Sequence, residues 1–551
     1  DASGLRPGTE PWSRFRPLGA TPPGGRPRTA PASAEAVERL RFGVVSCSNY
    51  EAGYFSAYRH LAARDDLDLV LHLGDYIYEY GKGGYATEGL DRFHDPEHEI
   101  VTLADYRRRH ALYKTDPDLA ALHARYAFIT TIDDHEITNN AWADGAENHQ
   151  PEDEGDYATR KAVAMQAYLE WMPVRPVGDT LQIHRQLSFG PLADLFVLDE
   201  RNHRSQPVSG AAGDMFVTSP EVGDEGRTML GAAQRAWFEE GLAASSATWK
   251  VVANSVMFAP LVLVDPPSPT PEVDAALGPL FDALGTSLPI VLNGDQWDGY
   301  QYEQRTLGEV YAAAGGVVVL TGDIHSSWAA EIPADPGTYL GGLGPSVAVE
   351  FVTPSVTSDS FRDAIAGVVG PLAPVVGPLA EALPLVVYTL GPWFKYMDPN
   401  QQGFGVFEVS DEAAHYDWHY ISDRTDPDAT VVGTASWRSP AGTNRLEAAS
   451  LLGPRSDRPA LPSPAAPPAP TSSTPAPAPA SAPTGAGRLP ATGAPVPLGL
   501  AALAAAGGLV TARAARAKAV SGVASESDGP VPAGSPGSVP DGSDQRDGGL
   551  S

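Results

Sequence analysis

VLHLGDYIYEY, residues 70–80, is an apolar run that stops at Gly74-Asp75 and continues with phenols at alternate positions. A short run of this kind suits a strand covered on both faces. Glycine lets the backbone turn sharply at the strand end, and the aspartate after it then presents a carboxylate beyond the sheet. The same arrangement returns in LTGDIHS, residues 320–326. Around these two stretches, the apolar runs RFGVVSC, YAFITTIDDHE, LADLFVLDE and WKVVANSVMF alternate with the helical patterns YFSAYRHLAA, LADYRRRHALYK and AQRAWFEEGLAA. That alternation predicts an α/β fold in layers, ordered from near Leu40 to about Trp437. In open α/β sheets, functional groups collect beyond the carboxyl ends of the strands, so ligands far apart in sequence can meet there.

The chain has 551 residues, 42% of them hydrophobic, and a net charge of −30. Without clustered Lys and Arg to neutralise phosphates, the composition argues against a nucleic-acid-binding role. Cysteine occurs once, at Cys47, which excludes an intrachain disulfide and leaves the thiol as a small buried hydrophobe or a ligand. Composition divides the chain into a flexible Pro/Gly/Arg-rich arm at 1–33, a folded domain at 34–437 and a linker at 438–458. A stalk at 459–488, almost wholly Pro, Ala, Ser and Thr, follows; then come a segment at 489–518 opening on LPATG and a disordered polar tail at 519–551.

Four strand ends finish in groups that can bind metal: Cys47; Asp75 with Tyr78; Asp134-His135 with Asn139; and Asp323 with His325. A single Gly-Asp reads equally well as a turn cap. Two of them together with DDHE at 133–136 point to one site, because carboxylates held close in a core need cations between them.

The blocks SCSNYEAGYFSAYRHLAARDDLDLVLHLGDYIYEY, TTIDDHEITNNAW, VLDERNHRSQP, AAQRAWFEEGLAASSATWKVVANSVMF, NGDQWDGY, LTGDIHSSWAAE and VEFVTPSVTS resemble, in order, those of the PhoD-type alkaline phosphatases. The likeness runs over about residues 38–435. It implies a metallophosphoesterase fold, a four-layer α/β/β/α sandwich with a metal cluster at the sheet edge. It also implies that Asp75 bridges an Fe3+ and a Ca2+, with Cys47, Tyr78 and His325 on the iron and Asp134, Asn139 and Asp323 on the calcium. Thiolate and phenolate suit a ferric ion, whereas calcium takes carboxylate and carbonyl oxygens.

By the same resemblance, His135 contacts the substrate phosphate or protonates the leaving group, and Arg201 clamps the phosphate. Glu200 stands where relatives carry a small residue and could pair with Arg201. Asn254, Asp295 and Asp298 stay outside the metal set: the first could be a ligand, a neighbour of one or an ordinary strand end, and the aspartates could complete a further calcium site or shape a turn around Trp297.

The implied activity is hydrolysis of phosphate mono- or diesters by metal-bound hydroxide, with phospholipase D-like action on phospholipid headgroups as an alternative. The contrasting class is a non-catalytic, calcium-binding surface protein. LPATG, the uncharged run Ala494 to Ala512 and then Arg513, Arg516 and Lys518 resemble a signal for sortase, which joins such chains to peptidoglycan. The run is near the length that spans a bilayer, and the trailing cations suit its cytoplasmic side. The expected location is therefore extracellular, on the cell wall of a Gram-positive bacterium.

Overall fold

A computed structural model describes residues 4–9, 28–32, 34–175, 181–264, 268, 270–339, 344–368 and 370–455. The stalk, the LPATG segment and the polar tail lie outside the described residues. All six apolar runs are strands: Arg39–Val45, Leu69–His72, Phe128–Thr130, Ala193–Val197, Trp249–Asn254 and Val317–Thr321. They form the parallel parts of two seven-stranded sheets, one edge of the first, where Phe128–Thr130 is the edge strand, and the middle of the second.

In the first sheet, Arg39–Val45, Leu69–His72 and Phe128–Thr130 are flanked by the antiparallel series Gly403–Ser410, Ala413–Ile421, Val431–Pro440 and Glu447–Ala448. In the second, Ser346–Val352 extends the parallel set. Arg185–Phe189 closes one edge, and Ser327–Pro333 with Phe394–Asp398 closes the other. A small third sheet joins Met215–Val217, Ile290–Asn293 and Val262–Leu263.

Strand alternation decides what each face meets. Phe42, Val44, Leu69 and Leu71 of the first sheet share a core with Leu195, Val197, Val251, Ala253, Val318 and Leu320 of the second. The opposite faces are also buried. Val45 and Val70 pack with Tyr58, Leu61, Tyr106, Tyr113, Leu122 and Tyr168 from helices Ser56–Ala63, Leu103–Lys114, Pro117–Arg125 and Tyr157–Trp171. Phe196, Val252, Val317 and Val319 pack with Phe238, Leu242, Leu307 and Tyr311 from helices Gly231–Ala244 and Gln301–Ala314. Full burial of each such side chain stabilises the fold by about 1.5–3 kcal/mol, so the largely apolar parallel strands are held from both sides.

The expected boundary at Trp437 falls inside Val431–Pro440, where Trp437 pairs with Tyr416 and Ala448. Residues read as the start of a linker thus complete the sheet. The described chain ends at Arg455, whose guanidinium lies 2.5 Å from Asp68. Part of the amino-terminal arm is ordered too: Gly8 N donates to Ala30 O, and Arg28 lies 2.6 Å from the other oxygen of Asp68. The amino-terminal arm, through Arg28, and the last described residue, Arg455, therefore meet one carboxylate just before Leu69–His72, whereas Asp75 lies just beyond that strand.

Candidate metal centre

Beyond the carboxyl ends of the central strands the backbone takes a conformation that L-residues rarely adopt. Cys47, Asp75, Asp323 and His325 have φ of 58°, 55°, 60° and 52°, and make up four of the seven non-glycine residues with positive φ among the described residues. A left-handed backbone costs such residues about 1–2 kcal/mol each, and its persistence at four converging positions marks a functional site. Gly74 has φ 105°, and a Cβ there would lie 2.4 Å from Asp133 N. Only glycine lets the two strand ends approach so closely. Cys47 N donates to Gly74 O at 3.2 Å and Ser48 N to Asp75 O at 3.0 Å, which ties the ends together.

This backbone brings the candidate ligands into three overlapping groups, Cys47/Asp75/His325, Asp75/Asp134/His135 and Asp133/Asp134/Asp323, with the ligand atoms of each group within 4.8 Å of one another. Asp75 belongs to the first two and Asp134 to the last two. The Tyr78 hydroxyl donates to Asp75 Oδ2 at 2.9 Å and lies 2.6 Å from Ser358 Oγ. Its ring stacks on His135 with centroids 4.1 Å apart.

The electrostatics of the cluster call for added cations. Burial pushes the Cys47 thiol well above its ordinary value, and Asp75 and Asp323 push it further. Burial, then Asp75 and Cys47, do the same to the Tyr78 phenol. Burial raises Asp75 well above the carboxylate range, with Asp133 and Asp134 adding to the rise and His135 opposing it. Asp323 rises to about 6 through burial, while Arg201 opposes the rise. Burial lowers His325 to about 4, so its imidazole is neutral and able to ligate. A thiol, a phenol and several carboxyls cannot ionise together here unless positive charge is supplied, and their donor chemistry fits a ferric ion beside a calcium ion.

His135 lies inside the cluster. Burial opposes its charging, but Glu79, Asp134 and Asp75 outweigh burial and hold the imidazolium well above the usual range. Arg201 is fully buried, with its Nε on Asp133, Nη1 2.5 Å from Asp295 and Nη2 2.7 Å from Asp323. It sits among carboxylates as their internal counter-ion. Glu200 does not pair with it: its carboxylate accepts from Ser255 N, Ser255 Oγ, Val256 N and Trp297 Nε1. That carboxylate is satisfied by the turn after Trp249–Asn254.

Asn139 is half-buried at the rim; its backbone N donates to Glu79, and its amide lies 3.4 Å from Glu147. Its neighbour Asn140 reaches Asp134 through backbone N at 2.6 Å. Asn254 is occupied by Trp297, Thr321 and Val256, and Asp298 by Leu261 and Gln304, so both hold the scaffold.

Several residues at the site went unassigned in the sequence reading. Asp133 holds Arg201, and Asp295 holds both Arg201 and Arg204. Glu136 accepts from the backbone N of Asp75, Tyr76 and Asp133, joining two strand ends. Glu79 binds His135. The repeated acids of DDHE were the available signal for Asp133 and Glu136.

A family described as PhoD-like phosphatase matches residues 42–418. Alkaline phosphatase D of Bacillus subtilis (strain 168) is 36% identical over 365 residues, which span 65% of this chain and 58% of that protein's length. A solved structure described as that of PhoD superposes with a TM-score of 0.68 at 30% identity, covering 82% of this chain and 79% of the other.

Proposed function

We propose that this chain, which belongs to the PhoD-like phosphatase family, hydrolyses phosphate mono- or diesters at the cluster built on Asp75. The observation that carries this reading is the convergence of Cys47, Asp75 and His325 on left-handed strand ends, with Tyr78 hydrogen-bonded to Asp75. Cys47, Asp75, Tyr78 and His325 would hold Fe3+, and Asp75, Asp134, Asn139 and Asp323 would hold Ca2+. When bound, such ions supply a lowered pKa for water and positive charge for the phosphoryl oxygens.

The protein's own groups orient the ester. His135 offers an imidazole edge to the phosphate or to its leaving oxygen. Arg201, fixed by Asp133, Asp295 and Asp323, offsets part of the carboxylate charge that a phosphoryl group would otherwise meet there. The four-layer α/β/β/α reading is supported by the two sheets sharing one core while helices cover their outer faces. Attachment to a Gram-positive cell wall is proposed from LPATG, the apolar run and the trailing cations alone.

Asp75→Asn tests the reading. The variant is expected to lose iron and calcium by metal analysis and to lower kcat on p-nitrophenyl phosphate by at least about 10³-fold, whereas near-normal turnover would sink the assignment. The wild type should show a visible phenolate-to-iron band that disappears in Tyr78→Phe. Assaying bis-p-nitrophenyl phosphate in parallel ranks diesters against monoesters.

A further inference from the structure

Glu79 lies within the motif that opens the site, completely buried. We infer that Glu79 is the positioning residue for His135, holding imidazole Nδ1 so that the Nε2 edge is presented to substrate. Its Oε2 lies 2.6 Å from His135 Nδ1. Its Oε1 accepts from Asn139 N at 2.7 Å, Asn148 Nδ2 at 2.9 Å and Thr138 Oγ1 at 3.2 Å. Both oxygens are thus committed, and the carboxylate cannot swing without breaking bonds to the loop that follows His135.

The imidazole is also held by the residues on either side of Glu79. Tyr78 stacks on it, and Tyr80 lies against it with ring centroids 5.5 Å apart. Three consecutive side chains therefore fix one ring. With Nδ1 bound to Glu79, Nε2 is the nitrogen left for a ligand, and the ring already lies beside Asp75 and Asp134. A carboxylate that fixes an imidazole in this way sets the orientation on which its contact with a reacting group depends.

The inference rests on the phosphoesterase reading, and a double-mutant cycle on the metal-loaded enzyme separates the two. Phenyl phosphate has a more basic leaving oxygen than p-nitrophenyl phosphate, so it depends more on a well-placed imidazole. Glu79→Gln is expected to lower kcat for phenyl phosphate at least about 10-fold more than for p-nitrophenyl phosphate, with iron and calcium content unchanged. In a His135→Asn background the same change should cost less than about 2-fold. Glu79→Asp, which keeps a carboxylate, should recover part of the phenyl phosphate rate and covers the case in which Glu79→Gln does not fold.

Equal losses on both esters, or a Glu79 effect undiminished by His135→Asn, would make Glu79 a loop staple and overturn the inference. If His135→Asn itself discriminates between the esters and neither Glu79 variant does, the positioning role alone fails. If the wild type cleaves neither ester, the parent reading falls and this one with it.

Discussion

Arg201 carries the largest charge burden of any single side chain at the site. Its guanidinium is fully buried, engages Asp133, Asp295 and Asp323, and lies 3.9 Å from Asp134. Removing one partner from a buried ionic network leaves uncompensated charge and costs about 3–5 kcal/mol. Arg201→Met is therefore expected to destabilise the metal-free protein by that amount in urea melts with chelator, and by less with calcium, which supplies the missing charge. Equal destabilisation in both conditions would show that the carboxylates do not form a cation site. At this scale the sequence was informative where a candidate ligand follows an apolar run and a glycine, as for Asp75 and Asp323, because there the strand end brings the side chain into the cluster. It named Asp134 but was silent on Glu79 and on Asp133, which joins Asp134 at the cluster, since adjacent acids differ only in which way the turn sends them. Nor did it show that four candidate ligands sit in left-handed conformations, because that strain is imposed by neighbouring strand ends.

The helix Leu103–Lys114 shows how an element can add a pH dependence that its own pattern conceals. Thr102 and Asp105 form a capping box at its start, and Tyr106, Arg109, His110 and Tyr113 are buried against the first sheet. At its last residue, Lys114 Nζ lies 2.6 Å from Tyr76 Oη, 3.0 Å from His123 Nε2 and 3.6 Å from Met172 Sδ. Burial pulls this ammonium from 10.5 to about 7. Burial, reinforced by Lys114, brings His72 and His110 to about 3. The unfolded state binds more protons at Lys114 between about pH 7 and 10.5, so stability rises with pH through that window and the penalty is complete below it. Relative to Lys114→Met, the wild type should gain up to about 5 kcal/mol between about pH 7 and 10.5, at about 1.4 kcal/mol per pH unit. Parallel pH dependences of the two proteins in urea melts would refute the lowering at Lys114. Elements were legible where period and burial agree, as in the six parallel strands. Ala373–Leu390 contains Pro378 and Pro384 and is still helical, because Val376, Leu379, Leu383 and Val387 find a core with helix Pro271–Leu284. Tertiary packing there outweighs local preference.

Across the described molecule, the cluster and the Arg28–Asp68–Arg455 contact lie at opposite ends of the first sheet, since Leu69–His72 runs from Asp68 at one end toward Asp75 at the other. Arg455, the last described residue, sits at Asp68, on the side away from the site. The polar alternation of Val431–Pro440, half exposed as the penultimate strand of its sheet, hid this closure from the sequence. A chain ending at Trp437 loses the end of that strand, the strand Glu447–Ala448, the nearly buried Leu446 and the Arg455–Asp68 ion pair. It is expected to be less stable than a chain ending at Arg455 by at least about 4 kcal/mol, from the lost apolar burial and the stranded carboxylate. The chain ending at Arg455 should match the full chain in thermal melting and in kcat on p-nitrophenyl phosphate. In a Gram-positive host with sortase it should appear in the medium, while the full chain is recovered from the wall joined through Thr492. Equal stability of the two truncations would make the last strands an accessory, and a full chain found in the wall with its C-terminus intact would refute the sorting reading while leaving the enzyme reading untouched.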